Sequence, residues 1–473
     1  MVQNVLATRY ASTAMRQIWS PQAKIRAERD FWIEVMKAQR DLGVGFGSDS
    51  PGQVIAAYQA QIDQIDLDSI RNREQVSHHD VKARIDEFNA LAGYQHIHKG
   101  LTSRDLTENI EQTQVRNSMK LIQIKAIAAL SRLAELALHY ADQPLTGRTH
   151  NVAAQTTTLG KRFATIADEL LSGYSRLEEL ITRYRLRGIK GPVGTGQDML
   201  DLLGGDQDKL HQLEDRLAEH LGFSKCMTST GQIYPRSLDF DVVSCLVQLG
   251  APLANLATSI RLMAGNELVT EGFQEGQVGS SAMPHKMNSR SCERINGLNV
   301  VLRGYLSMVA ELSASQWNEG DVACSVVRRI AMPDSFYAID AVFETALTIL
   351  VDFQAFPAVI EAELNRYLPF LMTTKILMAA VQRGIGRETA HETIKQAAVG
   401  VAENMRLGGQ NTLLDDLAES SLGLSHTDLE SLLSQPLQLT GAAHQQITQI
   451  VESIATIVAT HPEALTYQPD PVL

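Results

Sequence analysis

The chain has 473 residues, of which 44% are hydrophobic, 20% charged and 5% aromatic. This length predicts two or three domains, and the composition is typical of a soluble globular protein. The formal net charge is −12, which argues against nucleic acid as a partner because Lys and Arg must neutralise its phosphates. Apolar runs stay shorter than the roughly 18 residues of a membrane span, and the first ten residues lack the pattern of a signal peptide. We therefore expect no membrane partner and a cytoplasmic location.

Helical periodicity dominates the sequence, beginning with two long proline-free stretches over 105–142 and 156–184. A third helix is predicted over 239–269, bent at Pro252, and a fourth and fifth near 291–316 and 333–353. Several of these helices exceed the usual globular length of about 11–12 residues more than twofold. Helices this long cannot bury their apolar stripes in a compact monomer, so they predict a long bundle and burial against other subunits.

Turn residues interrupt this pattern at a few places. The glycine-rich segment 188–196 lacks the GK[ST] ending of a phosphate loop and is interpreted as a structural connection. The segment 271–288 is non-helical, and from about residue 361 the pattern predicts shorter helices.

The segment 279–288 is the most informative in chemical terms. Its Gly279-Ser280-Ser281 start offers backbone NH groups and hydroxyls, and Lys286 adds a positive charge. Such a loop is suited to binding a carboxylate and closing over it.

The same segment carries the pattern GSSxxPxKxNxxxxE, ending at Glu293. It resembles the signature of the fumarase/aspartase superfamily at every fixed position, and its MPHK form is most similar to the adenylosuccinate lyase branch. Shorter segments agree with that branch in chain order: RYAS at 9–12, HDV at 79–81, TSRD at 102–105, RTHNVAAQ at 148–155 and GKR at 160–162.

The resemblance implies an all-α fold of three mostly helical domains, at 1–102, 103–360 and 361–473. The central domain would be a five-helix bundle that assembles into a homotetramer, with active sites shared between subunits. The implied reaction is a β-elimination that releases fumarate from a small nucleotide substrate: adenylosuccinate, giving AMP, or SAICAR, giving AICAR. No metal and no cofactor are implied.

The resemblance also assigns roles to individual residues. Ser280 would be the base, ionised with the help of Lys286, and His150 the acid, oriented by Glu293. Lys286, Asn288, Thr102 and Ser103 would bind the succinyl carboxylates. The implied substrate-binding set is Arg9, Tyr10, His78, His79, Asp80, Thr102, Ser103, Gln232, Asn288, Arg294, Ser325 and Arg329.

Other interpretations compete at some positions. The pairs His78-His79 and His96-x-His98 would need further convergent ligands to hold a metal, and Arg328-Arg329 is also compatible with a solvated face. Gly320 stands where many adenylosuccinate lyases carry an arginine, and Ser289 replaces the usual proline.

These two departures leave substrate details open more than the reaction class. A sister lyase with another substrate is one rival function. The other is a non-catalytic protein on the same scaffold, which would not need Ser280, His150, Lys286 and Glu293.

Overall fold

The computed structural model describes residues 3–272, 283 and 285–471. The amino-terminal part is a group of helices around buried aromatic residues such as Phe31, Trp32 and Phe88. It consists of a π-helical turn at Leu6–Tyr10, α1 (Thr13–Ile18), α2 (Pro21–Asp41), α3 (Pro51–Ala60), α4 (Leu67–Ser77) and α5 (Asp80–Ala92). The α2 helix shows why such segments form: Ser20 caps it by accepting a hydrogen bond from the Ala23 amide, and Pro21 occupies the first turn.

The middle of the chain holds the long helices that the periodicity predicts. In order, its elements are α6 (Ser103–His139), the hairpin β1 (Pro144–Thr149) and β2 (Val152–Thr158), α7 (Leu159–Arg183), α8 (Gln197–Leu202), α9 (Gln207–His220), α10 (Ser237–Ala264), β3 (Val269–Thr270), α11 (Arg290–Leu312) and α12 (Ala323–Asp352). Within the described part of the chain, α6, α7, α10, α11 and α12 pack into one bundle around a continuous apolar core. The all-α expectation is therefore confirmed.

Two predicted helix bounds are wrong. The helix expected over 333–353 begins ten residues earlier, at Ala323, and Pro333 lies inside it. Proline removes one helical hydrogen bond, but Met332 and Phe336 are buried beside it, so packing holds the helix together. The helix expected over 239–269 ends at Ala264, because Val269 and Thr270 pair with β4 (Gln354–Ala355).

The α10 helix is long and apolar enough, by length and composition alone, to cross a membrane. It packs against α7, α11 and α12, and 56% of its most apolar window is buried in the chain. These contacts are those of a bundle helix.

The carboxy-terminal part is built from shorter helices, as predicted. It contains α13 (Pro357–Leu371), α14 (Thr373–Gln382), α15 (Arg387–Arg406), α16 (Leu413–Ala418), α17 (His426–Leu433), a 3₁₀ turn at Pro436–Leu439, α18 (Ala443–Thr460) and a 3₁₀ turn at Pro462–Thr466. Helices α13–α17 share an apolar cluster of their own, whereas α18 returns to pack on α6 and α7.

The glycine-rich segment 188–196 is a structural connection around a buried carboxylate. Asp105 accepts hydrogen bonds from the Lys190 and Gly191 amides at 2.9 and 3.0 Å, and from the Arg187 guanidinium at 2.6 Å. A Cβ at Gly194 would lie 2.2 Å from the Thr230 carbonyl oxygen, so the close approach requires glycine. These amides are occupied by Asp105 and are not arranged for a phosphate.

Candidate active site

One group of predicted substrate-binding residues lies where α5 meets the start of α12. Asp80 begins α5 and is 3.8 Å from Arg329 and 3.3 Å from Arg84. Burial acts to raise the pKa of Asp80, but the charge of Arg84 together with hydrogen bonds from the Val81 amide and Arg84 lowers the pKa below its ordinary value. His79 caps α5 by accepting a hydrogen bond from the Lys82 amide at 3.2 Å. We call His79, Asp80, Ser325 and Arg329 the entry cluster.

The segment 102–105 joins the entry cluster through its arginine. Thr102 caps α6 in a capping box with Asp105. The same first turn places Arg104 where its guanidinium donates to the Ser325 hydroxyl at 2.9 Å. Ser103, between Thr102 and Arg104, is the first residue of α6. The predicted Thr102, Ser103 and Ser325 therefore lie at one end of the bundle.

Gln232 lies beside the position of the expected arginine. Its backbone NH donates to the Glu319 carbonyl at 2.8 Å. A Cβ at Gly320 would be 3.2 Å from the Cβ of Gln232. Glycine therefore lets the Glu319–Gly320 backbone approach Gln232 closely.

His78, also predicted to bind substrate, directly follows the last residue of α4. It has the left-handed conformation, with φ 52, and its side chain is exposed.

Beneath the entry cluster lies a buried network that the sequence did not reveal. Arg328 donates to Asp239 at 2.7 Å and also binds Glu111, while Arg236 binds both carboxylate oxygens of Glu108 at 2.8 and 2.9 Å. Burial acts to raise the pKa of Glu111, but the charge of Arg328 holds it well below its ordinary value. A solvated face thus fits the exposed Arg329 but not Arg328, which is 4% exposed.

The end of the signature segment lines a second region. Lys286, Asn288 and Glu293 line a cleft of about 870 Å³ together with His285 and Arg261. Glu293 lies 3.8 Å from Arg261. The predicted base Ser280 is outside the described residues, as is the rest of 273–282.

Glu271, which the sequence did not single out, fixes the entry into α11. Its carboxylate accepts hydrogen bonds from the Ser291 and Cys292 amides, both at 2.9 Å. A carboxylate in this position complements the positive end of the helix. It holds the start of α11 in place, and with it Glu293, which lines the cleft.

Arg294, one residue after Glu293, meets the amino-terminal segment. The guanidinium carbons of Arg294 and Arg9 lie 6.0 and 5.8 Å from the centre of the Tyr10 ring. Burial lowers the pKa of Arg294, and the charge of Arg9 acts in the same direction. Two cations on one aromatic ring form a local positive site on an otherwise acidic protein.

His150 lies at the turn of the β1–β2 hairpin. His150 and Asn151 both have positive φ, 51 and 60, as a two-residue hairpin turn requires. The hairpin packs on α13, and Arg148 forms an ion pair with Glu363. The hairpin therefore presents an exposed imidazole at its tip.

These groups are not all brought together within one chain. Ser325 lies near the start of α12, whereas Gly272, just before the signature segment, packs against Asp352 at its end. Ser325 and Asp352 are 27 positions apart on α12, which corresponds to about 40 Å of helix. Likewise, Ser103 begins α6 and the His150 hairpin follows its other end. The predicted pairing of Glu293 with His150 is not formed inside the chain and stays a prediction.

The two histidines of the His96-x-His98 pair contact different partners. His96 lies 2.8 Å from Asp49, and His98 accepts a hydrogen bond from the Trp32 indole at 3.0 Å. Burial lowers the pKa of His98 to about 4. Across residues 3–272, 283 and 285–471, we find no group of three or more His, Cys, Asp or Glu side chains placed to hold a metal ion.

Comparison with known proteins identifies the family. A family described as "Lyase" matches residues 11–304, and one described as "Adenylosuccinate lyase C-terminus" matches residues 369–450. The chain is 34% identical to the adenylosuccinate lyase of Saccharomyces cerevisiae, over 94% of this chain and 93% of that protein. It is 31% identical to that of Schizosaccharomyces pombe, over 98% and 96%.

A solved structure supports the same fold. The 3-carboxy-cis,cis-muconate lactonizing enzyme of Pseudomonas putida matches with a TM-score of 0.82 at 22% identity, covering 96% of this chain and 100% of that one. At this identity the likeness concerns the fold alone. The family matches and the full-length relatives show that the chain belongs to the adenylosuccinate lyase family of lyases.

Proposed function

We propose that this protein releases fumarate from adenylosuccinate, giving AMP, and from SAICAR, giving AICAR, in purine nucleotide biosynthesis. The proposal is supported by the full-length similarity to adenylosuccinate lyases. In addition, the chain retains the four predicted catalytic residues Ser280, His150, Lys286 and Glu293. The intact set also argues against a non-catalytic protein on this scaffold.

The proposed chemistry is an elimination in two proton transfers. Ser280, as its alkoxide, removes the proton from the carbon next to a carboxylate, and the electron pair is delocalised into that carboxylate. The carbon–nitrogen bond then breaks, His150 donates a proton to the leaving nitrogen, and fumarate departs. Lys286 and Asn288, which line the cleft, supply charge and hydrogen bonds to the dianionic intermediate.

The same proposal includes a homotetramer whose active sites are shared between subunits. The entry cluster and the Lys286 cleft lie at opposite ends of α12, which supports a site built from segments of different copies. Apolar residues are exposed on the outer faces of the long helices in the single chain: Val300, Val326, Ile330 and Val351 are 65%, 65%, 49% and 61% exposed. Covering them with other copies removes this apolar surface from water.

We also propose a cytoplasmic location. Its support is the acidic composition and the four cysteines, Cys226, Cys245, Cys292 and Cys324, none of which is in a disulfide. Reduced thiols are usual in the cytosol.

An ultraviolet absorbance assay tests the reaction. We expect fumarate release from adenylosuccinate and SAICAR, and none from argininosuccinate or malate. His150→Ala and Ser280→Ala should abolish turnover, whereas His444→Gln, which alters an exposed histidine near Asp142, should not. Turnover of argininosuccinate in place of adenylosuccinate would move the protein to a sister activity. Full activity of His150→Ala would remove that histidine from the mechanism.

Light scattering tests the assembly. We expect a particle of four chains, and a stable, active monomer would overturn the proposal of shared sites.

A further inference from the structure

The π-helical turn at Leu6–Tyr10 is held from both sides by carboxylates of α12. On one side, the Asn4 side chain donates to Asp334 at 2.7 Å and also accepts hydrogen bonds from the Leu6 and Ala7 amides. On the other, the Ser12 amide donates to Asp340 at 2.6 Å. Single π-turns are rare and occur often at functional sites.

The second carboxylate belongs to a buried charge cluster that the proposed elimination does not use. Lys125, on α6, is fully buried and binds Asp340, Glu344 at 2.6 Å and the Ser12 hydroxyl at 3.0 Å. Buried charges are stable only when they are paired and hydrogen-bonded. Here a lysine in the middle of the bundle fixes the backbone two residues after Tyr10.

The carboxy-terminal segment after α18 adds hydrogen bonds to this cluster. The Tyr467 hydroxyl and the Asp470 amide both donate to Glu344. Arg132, also on α6, donates to the Tyr467 carbonyl at 2.8 Å and is a second cation in the neighbourhood of Glu344. Lys125 is thus the cation that binds both Asp340 and Glu344.

The same segment also touches the amino-terminal segment directly. The Asp470 carboxylate accepts a hydrogen bond from the Thr13 amide at 2.7 Å. Two consecutive amides are therefore hydrogen-bonded to different parts of the chain: that of Ser12 to Asp340 on α12, and that of Thr13 to Asp470 in the carboxy-terminal segment. Arg9 and Tyr10 lie between these contacts and the Asn4 contact, and the guanidinium groups of Arg9 and Arg294 both lie over the Tyr10 ring.

We infer that Tyr467 and Asp470, acting through the buried Lys125 cluster and Thr13, are positioning residues for substrate binding by Arg9 and Tyr10. This inference rests on the proposed function, in which those two residues bind the anionic nucleotide. The carboxy-terminal segment holds the Arg9–Tyr10 turn in its binding geometry without touching the substrate. Its loss lowers affinity more than it lowers the rate of the chemical step.

Steady-state kinetics with adenylosuccinate test the inference. Asp470→Ala removes the acceptor of the Thr13 amide, and we expect KM to rise about tenfold while kcat stays within about twofold. Glu463→Gln is the matched control: it lies in the same segment, and its carboxylate faces His461 at 3.2 Å. The control should keep the wild-type KM.

A double-variant cycle separates positioning from general stability. If Asp470 acts through the turn, Asp470→Ala should raise KM no further in a chain that already carries Arg9→Ala. Independent, multiplicative effects on KM would overturn the inference, as would a wild-type KM in Asp470→Ala.

Hydrogen exchange of the ligand-free protein gives a readout that does not depend on activity. Asp470→Ala should speed exchange of the Ser12 and Thr13 amides, and Glu463→Gln should not. Unchanged exchange would overturn the positioning role even if KM rose. A wild-type chain inactive on adenylosuccinate would instead overturn the proposed function, and with it the substrate part of this inference.

Discussion

Mixing two inactive variants should restore activity if the active site is shared between chains. His150→Ala removes the proposed acid at the hairpin tip, and Arg329→Ala removes an exposed cation of the entry cluster. In one chain these residues lie at opposite ends of the bundle, because Arg329 is near the start of α12 and the His150 hairpin packs on α13, which follows the other end of α12. In the proposed shared site, the hairpin and the entry cluster therefore come from different copies.

The size of the recovery follows from random assembly. In an equal mixture each site receives a wild-type hairpin with a probability of about one half, and a wild-type entry cluster with the same probability. Both are wild-type in about one quarter of the sites of a symmetric assembly, so we expect about 25% of wild-type activity. The assay is fumarate release at saturating adenylosuccinate, after the two variants are co-expressed or reassembled.

A second mixture serves as the control. Ser325 and Arg329 lie one helical turn apart on α12 of the same chain. A mixture of Ser325→Ala with Arg329→Ala therefore never assembles an intact entry cluster, and it should stay at the level of its components. Recovery in this control, or none in the His150 mixture, would refute the shared-site geometry.

Three further outcomes are expected from the buried groups. Lys125→Met should lower the free energy of unfolding by about 3–5 kcal/mol, because it leaves two buried carboxylates without their cation; a urea midpoint near wild type would contradict this. Asp105→Ala should also lower the urea midpoint strongly, since it strips the buried Arg187 of its carboxylate. Burial lowers the pKa of His98 from 6.5 to about 4. As pH falls from 6.5 to about 4, His98 therefore binds a proton in the unfolded chain but stays neutral in the folded chain. Stability should therefore drop by about 3 kcal/mol from pH 7 to pH 4 through this residue, and His98→Asn should remove that part of the pH dependence in denaturation curves.

The sequence determined the features that depend on neighbours along the chain. The apolar stripes of α6 and α7 repeat at helical spacing, so their existence and approximate length could be predicted. The signature ending at Glu293 and the segment around His150 identified the family, because their residues are contiguous. The sequence places the start of α12 at Pro333, ten residues too late, because proline is a local signal for a helix start. The tertiary packing that keeps Pro333 inside the helix is not a local feature.

Only the tertiary structure decided which of these residues meet. Arg328 and Arg329 are adjacent and chemically identical, yet one is buried in an ion-pair network and the other is exposed. The contact between Thr13 and Asp470 joins residues 457 positions apart, and no periodicity reports such a pairing. The separation of the entry cluster from the Lys286 cleft has the same origin. Long helices are rigid rods, and the rise of α12 keeps residues at its two ends apart.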